Sequence, residues 1–295
     1  MEDHSVQLCA RPVFVIGSPR SGTTALARAL GRHTGLWTSH ESYLLHKLYG
    51  DDRANDAWRR DAEREQAPSW LKTEAVGREE FLGYLGAGIN ALYTSRSGGR
   101  RWVDQTPLNT LMVDDLGHMF PGAGFVHIVR DGRRVVESMS HFLAKFEGRP
   151  GARKYVPGWA TDFGEACRTW RHWTEVAHGF CERNPERGIT VVNERFAEAP
   201  GETFTELFGF LGVEWEDGPV EAMTGDRVNS SFVGTAASAA DRGLPEWDPE
   251  RRTTFVAEAG DVMVALGLAS PEALRAWAAG EISVSEAPTR SGRRR

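Results

Sequence analysis

Short apolar runs alternate with segments of mixed, helix-like composition along most of this chain. Val13–Ile16 is one uninterrupted apolar run, and residues 125–129 and 189–192 repeat the pattern. Runs this short, rich in β-branched residues, are typical of strands that a parallel sheet buries on both faces. The alternation predicts an α/β fold with a mainly parallel central sheet flanked by helices.

The same pattern suggests how the chain is divided. Residues 1–11 are expected to form a flexible arm, and residues 12–282 a single domain with a helical insertion around residues 45–100. Residues 283–295, which end in three arginines, are expected to be a disordered tail.

Two stretches inside the domain lack any period and are predicted to be long loops, residues 147–159 and 224–245. Together with residues 36–100 they are expected to shape a ligand pocket, because binding residues commonly lie on loops. Trp170 and Trp173, by contrast, recur at helical spacing. They are interpreted as core packing, not as a ligand cage.

A polar loop separates the first predicted strand from the first predicted helix. In this 17–24 loop, backbone N–H groups and the start of the following helix converge on one point and can stabilise an anion. The strand–loop–helix context makes the fold P-loop-like. The candidate phosphate contacts are Ser18, Pro19, Arg20, Ser21, Gly22, Thr23 and Thr24.

This loop differs from that of ATPases and kinases. Thr23 stands where those proteins carry their phosphate-binding lysine, and Arg20 is the only cation of the loop. Arg20 would lie over the bridge between a phosphate and the group being transferred. A nucleotide kinase is a competing interpretation, but it requires that lysine and Mg²⁺ ligands, and the sequence supplies neither clearly.

A second candidate anion site follows the run at residues 125–129. Arg130 comes next, and Ser138 lies further along the following predicted helix. A guanidinium group can bind a phosphate through two parallel hydrogen bonds. Because ligands gather at the carboxyl ends of parallel strands, Arg130 and the 17–24 loop are expected to face one crevice. Two separated sites suit a nucleotide phosphorylated on both its 5′ and 3′ sides.

Composition narrows the range of partners. The formal net charge is −6, so no global positive field attracts nucleic acid or anionic membrane. No stretch reaches the ~20 apolar residues that span a bilayer, and the acidic N-terminus does not resemble a signal peptide. Three scattered cysteines do not form a disulfide framework or a metal cluster. We therefore expect a cytoplasmic protein without metal, nucleic-acid or membrane partners; a homodimer is compatible with the sequence.

Taken together, these residues resemble the family of sulfotransferases that depend on 3′-phosphoadenosine-5′-phosphosulfate (PAPS). Residues 18–24 are similar to the family's 5′-phosphosulfate loop and residues 129–139 to its 3′-phosphate segment, in the same order. Further similarity covers residues 104–107, 193–196 and 210–215. The loop arginine is closer to the tyrosylprotein and bacterial branch than to the cytosolic branch.

The resemblance implies an enzyme that moves a sulfuryl group from PAPS to an acceptor hydroxyl, by elimination that of a small metabolite, and releases PAP. It assigns the 5′-phosphosulfate to residues 20–24 and the 3′-phosphate to Arg130 and Ser138. Asn193, also a predicted nucleotide contact, replaces the usual aromatic residue, and Gln105 replaces a lysine of that branch. The change at Gln105 leaves a non-catalytic nucleotide-binding protein as a further alternative.

Two residues are candidates for the base that takes the acceptor's proton. Glu41 falls at the position of the branch's catalytic glutamate, and the predicted mechanism is in-line attack with this general base while Arg20 meets the charge on the leaving group. Residues 38–41 also have capping-box spacing, in which Glu41 would fold back onto the Thr38 amide. His40 is the next candidate, because imidazole titrates near neutral pH.

Overall fold

The computed structural model describes residues 6–64, 69–143, 156–225 and 245–281. Within them, five strands form one sheet in the order β2-β3-β1-β4-β5, and every neighbouring pair is parallel. The predicted α/β class is confirmed. The strands are β1 (Val13–Ile16), β2 (Leu36–Thr38), β3 (Arg101–Asp104), β4 (Gly124–Val129) and β5 (Gly188–Val192).

Helices cover both faces of the sheet, and none in the described ranges is long and apolar enough to cross a membrane. The described helices are α1 (Thr23–Leu30), α2 (Leu44–Tyr49), α3 (Arg53–Ala62), α4 (Trp70–Thr73), α5 (Arg78–Ser97), α6 (Val113–Met119), α7 (Gly132–Ser140), α8 (Phe163–Arg183), α9 (Arg195–Glu198), α10 (Pro200–Leu211), α11 (Asp217–Gly225), α12 (Pro249–Ala265) and α13 (Pro271–Ala279).

The central strand β1 explains why the apolar runs are continuous. Phe14 packs with Trp102 in a core that also contains residues of α5, α6 and α8. Val15 packs with Leu26 in a second core formed with α1 and α10. Because successive strand residues point to opposite faces and both faces are covered, every position of β1 is apolar and buried.

Three strands, β1, β4 and β5, match the predicted runs, whereas the sequence-based prediction misses β2 and β3. These strands have only three and four residues, and each carries a polar residue, Thr38 and Arg101. Neither contains four or five consecutive residues as largely apolar as those that marked the other strands. Helices α2 to α5 occupy the region predicted as a helical insertion.

One boundary differs from the predictions. Cys9 departs from the predicted flexible arm, because Asn90 bonds both its N–H and its carbonyl group, each at 2.9 Å. Outside the described residues lie the start of the arm, most of both predicted loops and the predicted tail, that is, residues 1–5, 144–155, 226–244 and 282–295.

The sheet topology locates a crevice between β1 and β4. After β1 the chain continues towards β2 and β3 on one side, whereas after β4 it continues towards β5 on the other. Such a switch point leaves open the carboxyl ends of the two adjacent strands, and ligands of open α/β sheets bind there. The 17–24 loop follows β1 and Arg130 follows β4, so both predicted anion segments begin at this crevice.

Candidate functional site

The 17–24 loop packs tightly against the sheet. Gly17 has a φ angle of 148° and Gly22 one of 107°, values that favour glycine. A Cβ atom on Gly17 would lie 2.5 Å from the carbonyl oxygen of Ile128, so the backbone of β4 passes directly against the loop. The Gly17 N–H also donates to Oγ1 of Thr110 at 2.9 Å. These contacts fix the start of the loop.

Asn193 holds the other end of the loop. Its Nδ2 donates to the carbonyl oxygen of Ser21 at 3.1 Å, and its backbone N–H donates to that of Val129 at 2.7 Å. A Cβ atom on Gly22 would lie 2.3 Å from the same Nδ2. The side chain of Asn193 therefore positions the loop, and its contact with a nucleotide stays a prediction.

The loop and the start of α1 carry hydrogen-bond donors that suit an anion. The first N–H groups of a helix have no carbonyl partner within it, and Gly22 at the N-cap has no side chain to cap them. The hydroxyl of Ser21 is buried and has no hydrogen-bond partner among the described residues. The buried Ser18, in contrast, donates its hydroxyl to the carbonyl of Pro19 at 3.3 Å.

Arg20 connects the two predicted anion segments. It has a left-handed φ of 72°, and its Nε donates to Oγ of Ser138 on α7 at 3.1 Å. The pKa of Arg20 is lowered to about 10, mainly by burial and also by the nearby charge of Arg130, while the charge of Glu41 opposes the shift. Two guanidinium groups are thus brought together where water is partly excluded, and a bound anion would relieve their repulsion.

Arg130 is oriented beside a buried carboxyl group. Its Nε lies 3.9 Å from Oε1 of Glu194, which also accepts the N–H of Asp131 at 3.2 Å. Burial raises the pKa of Glu194, the charge of Asp131 raises it further, and the charge of Arg130 opposes both. Glu194 therefore holds the segment after β4 and places a carboxyl group beside Arg130.

Helix α7 is anchored at the same place. The Asp131 side chain caps the helix by accepting the N–H of Arg133 at 2.9 Å. The two side chains also form a buried ion pair, with Nη2 of Arg133 2.6 Å from Oδ2 of Asp131. The guanidinium of Arg133 lies 5.3 Å from the centre of the Trp277 ring. This anchoring fixes the helix that carries Ser138.

Glu41 faces the 17–24 loop from the segment between β2 and α2. Its Oε1 accepts a hydrogen bond from Oγ1 of Thr24 at 3.5 Å, and its Oε2 accepts one from the hydroxyl of Tyr43. The capping-box alternative is wrong. Helix α2 begins at Leu44, and the Thr38 hydroxyl donates to Val103 in the adjacent strand.

His40 does not join this group. Its side chain is exposed and does not line the cavity that Glu41 borders. The structure therefore gives no support to His40 as a base, because a residue that takes the acceptor's proton must reach it directly or through one water.

A cavity of about 900 Å³ opens beside Arg20 and Glu41. We call it the Arg20 cavity. Residues of the 17–24 loop form one wall, and the opposite walls are mainly apolar. Its lining comprises Pro19, Arg20, Thr23, Thr24, Glu41, Tyr43, His46, Lys47, Asp51, Pro107, Leu108, Leu111, Phe142, Leu143, Val156, Pro157, Gly158, Trp159, Glu165, Thr169 and Trp173.

The lining adds a second role for one tryptophan. Trp170 and Trp173 are both buried, as expected, but Trp173, one turn later on α8, also borders the cavity. The short 3₁₀ helix Pro107–Met112 after β3 also lines it, through Pro107, Leu108 and Leu111, and was not predicted to. Their position directly after a strand could have indicated that they lie near the site, but the sequence-based prediction missed that strand, β3.

A model described as the sulfotransferase family matches residues 12–217, more than half of the chain. The chain belongs to the sulfotransferase family.

Other proteins of similar sequence bear related names. The protein-tyrosine sulfotransferase of Drosophila melanogaster is 24% identical over 220 residues, which is 70% of this chain and 38% of that protein. A putative protein-tyrosine sulfotransferase of Caenorhabditis briggsae is 22% identical over 207 residues, 69% of this chain and 66% of that protein. This sulfotransferase-family chain therefore spans less than two thirds of the length of either relative.

Solved structures of the same family also match. The sulfotransferase domain of the Synechococcus olefin synthase has a TM-score of 0.48 and 22% identity, with 79% of this chain and 82% of that one covered. Mouse sulfotransferase SULT7A1, solved with PAP, has a TM-score of 0.46 and 12% identity, with 93% and 89% covered.

Gln105 marks a difference from the branch of the sulfotransferase family that the sequence resembles. The residue follows β3, is 4% exposed, and its Oε1 has no hydrogen-bond partner among the described residues. Within the described part of the chain, a lysine at another position lines the Arg20 cavity, namely Lys47 on α2.

Proposed function

We propose that this protein transfers a sulfuryl group from PAPS to the hydroxyl group of a small acceptor. The observation that carries the proposal is the pairing of Arg20 and Arg130 at the switch point of the sheet, with Arg20 bonded to Ser138. Each guanidinium group can bind an anion, and a multivalent anion between them would offset their mutual repulsion. A nucleotide with phosphates on both sides of its ribose is such an anion.

The residues present fit PAPS. The free amides of α1, the unpartnered hydroxyl of Ser21 and the guanidinium of Arg20 would hold the 5′-phosphosulfate, and Arg130 with Ser138 would hold the 3′-phosphate. When bound, PAPS supplies an activated sulfuryl group. Arg20 would then stabilise negative charge that develops on the leaving phosphate oxygen, since fixed donors act most strongly where charge appears.

Glu41 would act as the general base. Its carboxylate borders both the 17–24 loop and the Arg20 cavity, so an acceptor in the cavity could reach Glu41 and the loop at once. A carboxylate in that position accepts the acceptor's proton as the hydroxyl oxygen attacks. Lys47, also on the cavity wall, would supply the cation that the family resemblance places at Gln105.

The cavity indicates the kind of acceptor. Its volume of about 900 Å³ lies within the range of pockets that enclose small organic molecules. Leu108, Leu111, Phe142 and Trp159 give it apolar walls, so the acceptor would carry its hydroxyl on an apolar body. The names of the relatives raise a competing acceptor, a tyrosine side chain of a peptide.

Binding and transfer test the proposal separately. Titration calorimetry should detect binding of PAP, while ATP with Mg²⁺ should bind more weakly; the reverse order would support the kinase alternative. Label transfer from ³⁵S-PAPS should then be measured with a panel of small alcohols and phenols and with tyrosine peptides. PAP binding without transfer to any acceptor would support the non-catalytic alternative, and transfer only to peptides would overturn the small-acceptor assignment.

A further inference from the structure

Both oxygens of the Glu41 carboxylate already accept hydrogen bonds from hydroxyl groups of this chain. Thr24 bonds Oε1, and the phenol of Tyr43 bonds Oε2. Thr24 and Tyr43 both line the Arg20 cavity, but Thr24 belongs to the loop that would hold the nucleotide, whereas Tyr43 lies on a separate segment. The Glu41 oxygen that Tyr43 occupies is therefore the one that is not bonded to the nucleotide loop, and it is the one we assign to an incoming acceptor.

The backbone around Tyr43 is fixed. Ser42 Oγ lies 2.6 Å from the hydroxyl of Tyr93, which donates to Oδ2 of the buried Asp104 at 3.1 Å. The same Ser42 oxygen accepts the N–H of Leu44 at 3.1 Å. Tyr43 itself has a φ of 55°, a conformation that non-glycine residues adopt only where the surroundings impose it.

The side chain of Tyr43 is less constrained than its backbone. It is 37% exposed, so rotation about its side-chain bonds can carry the ring from the cavity wall into solvent. Glu41, in contrast, is also held by Thr24 and stays beside the loop when Tyr43 leaves.

We propose that Tyr43 competes with the acceptor: its phenol occupies the Glu41 oxygen that an acceptor hydroxyl must use, and an acceptor binds by displacing it. The proposal rests on the role of Glu41 in the proposed function. Burial and the hydrogen bond to Glu41 raise the pKa of Tyr43, so its hydroxyl remains a donor across the physiological pH range.

This arrangement makes the site selective. A molecule that displaces Tyr43 replaces one hydroxyl on Glu41 with another, so the exchange gains little from the hydrogen bond itself. The gain must come from apolar surface buried against walls such as Leu108 and Trp159. Water brings no apolar surface, so Tyr43 keeps Glu41 from activating water in place of an acceptor.

A double-mutant cycle tests the proposal without any transfer reaction. Binding of para-nitrophenol to the nucleotide-free protein is measured by calorimetry for the wild type, Tyr43→Phe, Glu41→Gln and the double variant. Tyr84→Phe is the matched control, since Tyr84 is 73% exposed on α5 and does not line the cavity. Tyr43→Phe should bind the phenol about three- to tenfold more tightly, because the phenol no longer has to break the hydrogen bond between Tyr43 and Glu41.

The remaining variants decide the interpretation. In the Glu41→Gln background, Tyr43→Phe should change the affinity by much less, and Tyr84→Phe should not change it in either background. Weaker binding by Tyr43→Phe would overturn the proposal and make Tyr43 part of the acceptor site. Failure of both the wild type and Tyr43→Phe to bind the phenol would also overturn the proposal. If incubation with PAPS alone added a sulfuryl group to Tyr43, detected by peptide mass spectrometry, Tyr43 would be an acceptor and the proposal would also fail.

These outcomes are distinguishable from failure of the proposed function. If the predicted affinities are found but no sulfuryl group is transferred, Tyr43 competes for Glu41 and the enzymatic assignment is wrong. If sulfuryl groups are transferred but Tyr43→Phe does not bind the phenol more tightly, the enzymatic assignment holds and the competition by Tyr43 is wrong.

Discussion

On one side of the crevice the 17–24 loop offers backbone amides and hydroxyls; on the other the Arg20 cavity offers apolar side chains and the carboxylate of Glu41. The loop is one short segment, fixed by Thr110 at its start and by Asn193 at its end. The cavity is assembled from the loop and four further parts of the chain, and several of its lining residues, such as Leu111 and Val156, are exposed.

In the proposed function, this difference divides ligand recognition between two sides. The nucleotide side would use the positive charge of Arg20 and Arg130, so electrostatics that few substitutions could preserve would set the ligand class. The cavity side depends on shape and apolar area, which vary gradually with each side chain. Changes on the first side should remove activity, whereas changes on the second should alter which acceptor is used.

The largest expected effect is on the nucleotide side. Arg20→Ala should lower kcat/KM for PAPS by ~10³–10⁴, because both a phosphate contact and the stabilisation of the leaving group are lost. The thermal midpoint should not fall, since the repulsion between Arg20 and Arg130 disappears with the side chain. Steady-state kinetics and circular dichroism check both parts, and a variant with full activity would refute the placement of Arg20.

Glu41→Gln lies at the boundary between the two sides and should separate them. Turnover should fall by ~10²–10³, because the amide cannot take a proton from the acceptor. The dissociation constant for PAP, measured by calorimetry, should stay close to that of the wild type. If PAP binding collapsed as well, Glu41 would belong to the nucleotide site.

A pH-dependent prediction concerns the strand beneath the loop. His127 on β4 is fully buried, and its pKa is lowered to about 3, mainly by burial and also by the nearby His178. The unfolded chain binds a proton near pH 6.5 that the folded protein excludes, so stability is lost as the pH falls from there towards 3. When the pH is lowered from 7 to 5, His127 should decrease the free energy of unfolding by about 2 kcal/mol.

Denaturant titrations of the wild type and His127→Leu check this value. The variant should lose less stability over the same pH interval, because leucine cannot bind the proton and the Nε2 atom it removes has no hydrogen-bond partner among the described residues. Equal losses in the two proteins would show that other groups cause the acid dependence.

The smallest effect is expected on the cavity side. Leu111→Ala should raise KM for the acceptor found in the transfer assay by roughly fivefold, the equivalent of part of one leucine's apolar surface. Affinity for PAP should not change. Leu92→Ala is the control, because Leu92 is also 43% exposed but lies on α5 outside the cavity lining. Equal effects of the two substitutions would contradict the assignment of Leu111 to the acceptor wall.

Much of the nucleotide side was predictable because its parts are local in sequence. Val13–Ile16 has to be a strand buried on both faces, and the glycines on either side of Arg20 allow the turn that follows. Arg130 directly follows another such strand. The rule that parallel strands end at one edge then brings the two segments together without knowledge of the intervening chain.

Asn193 shows where such reasoning ends. Its position after β5 indicated proximity to the crevice, but its amide could face a nucleotide or the loop equally well. Its bond to the loop requires space beside Gly22, where Asn193 Nδ2 lies 2.3 Å from the position that a Cβ atom of residue 22 would take. That distance is a property of two segments separated by most of the chain.

The sequence by itself determined the strand–loop–helix unit, the sheet class and the positive residues at two strand ends. Only the tertiary structure decided that Glu41 bonds Thr24 and Tyr43 instead of capping a helix, and that Trp173 borders a cavity while Trp170 is core. The physical reason is that strand and turn preferences act between neighbours in the chain, whereas a cavity is space left between elements that pack from distant positions.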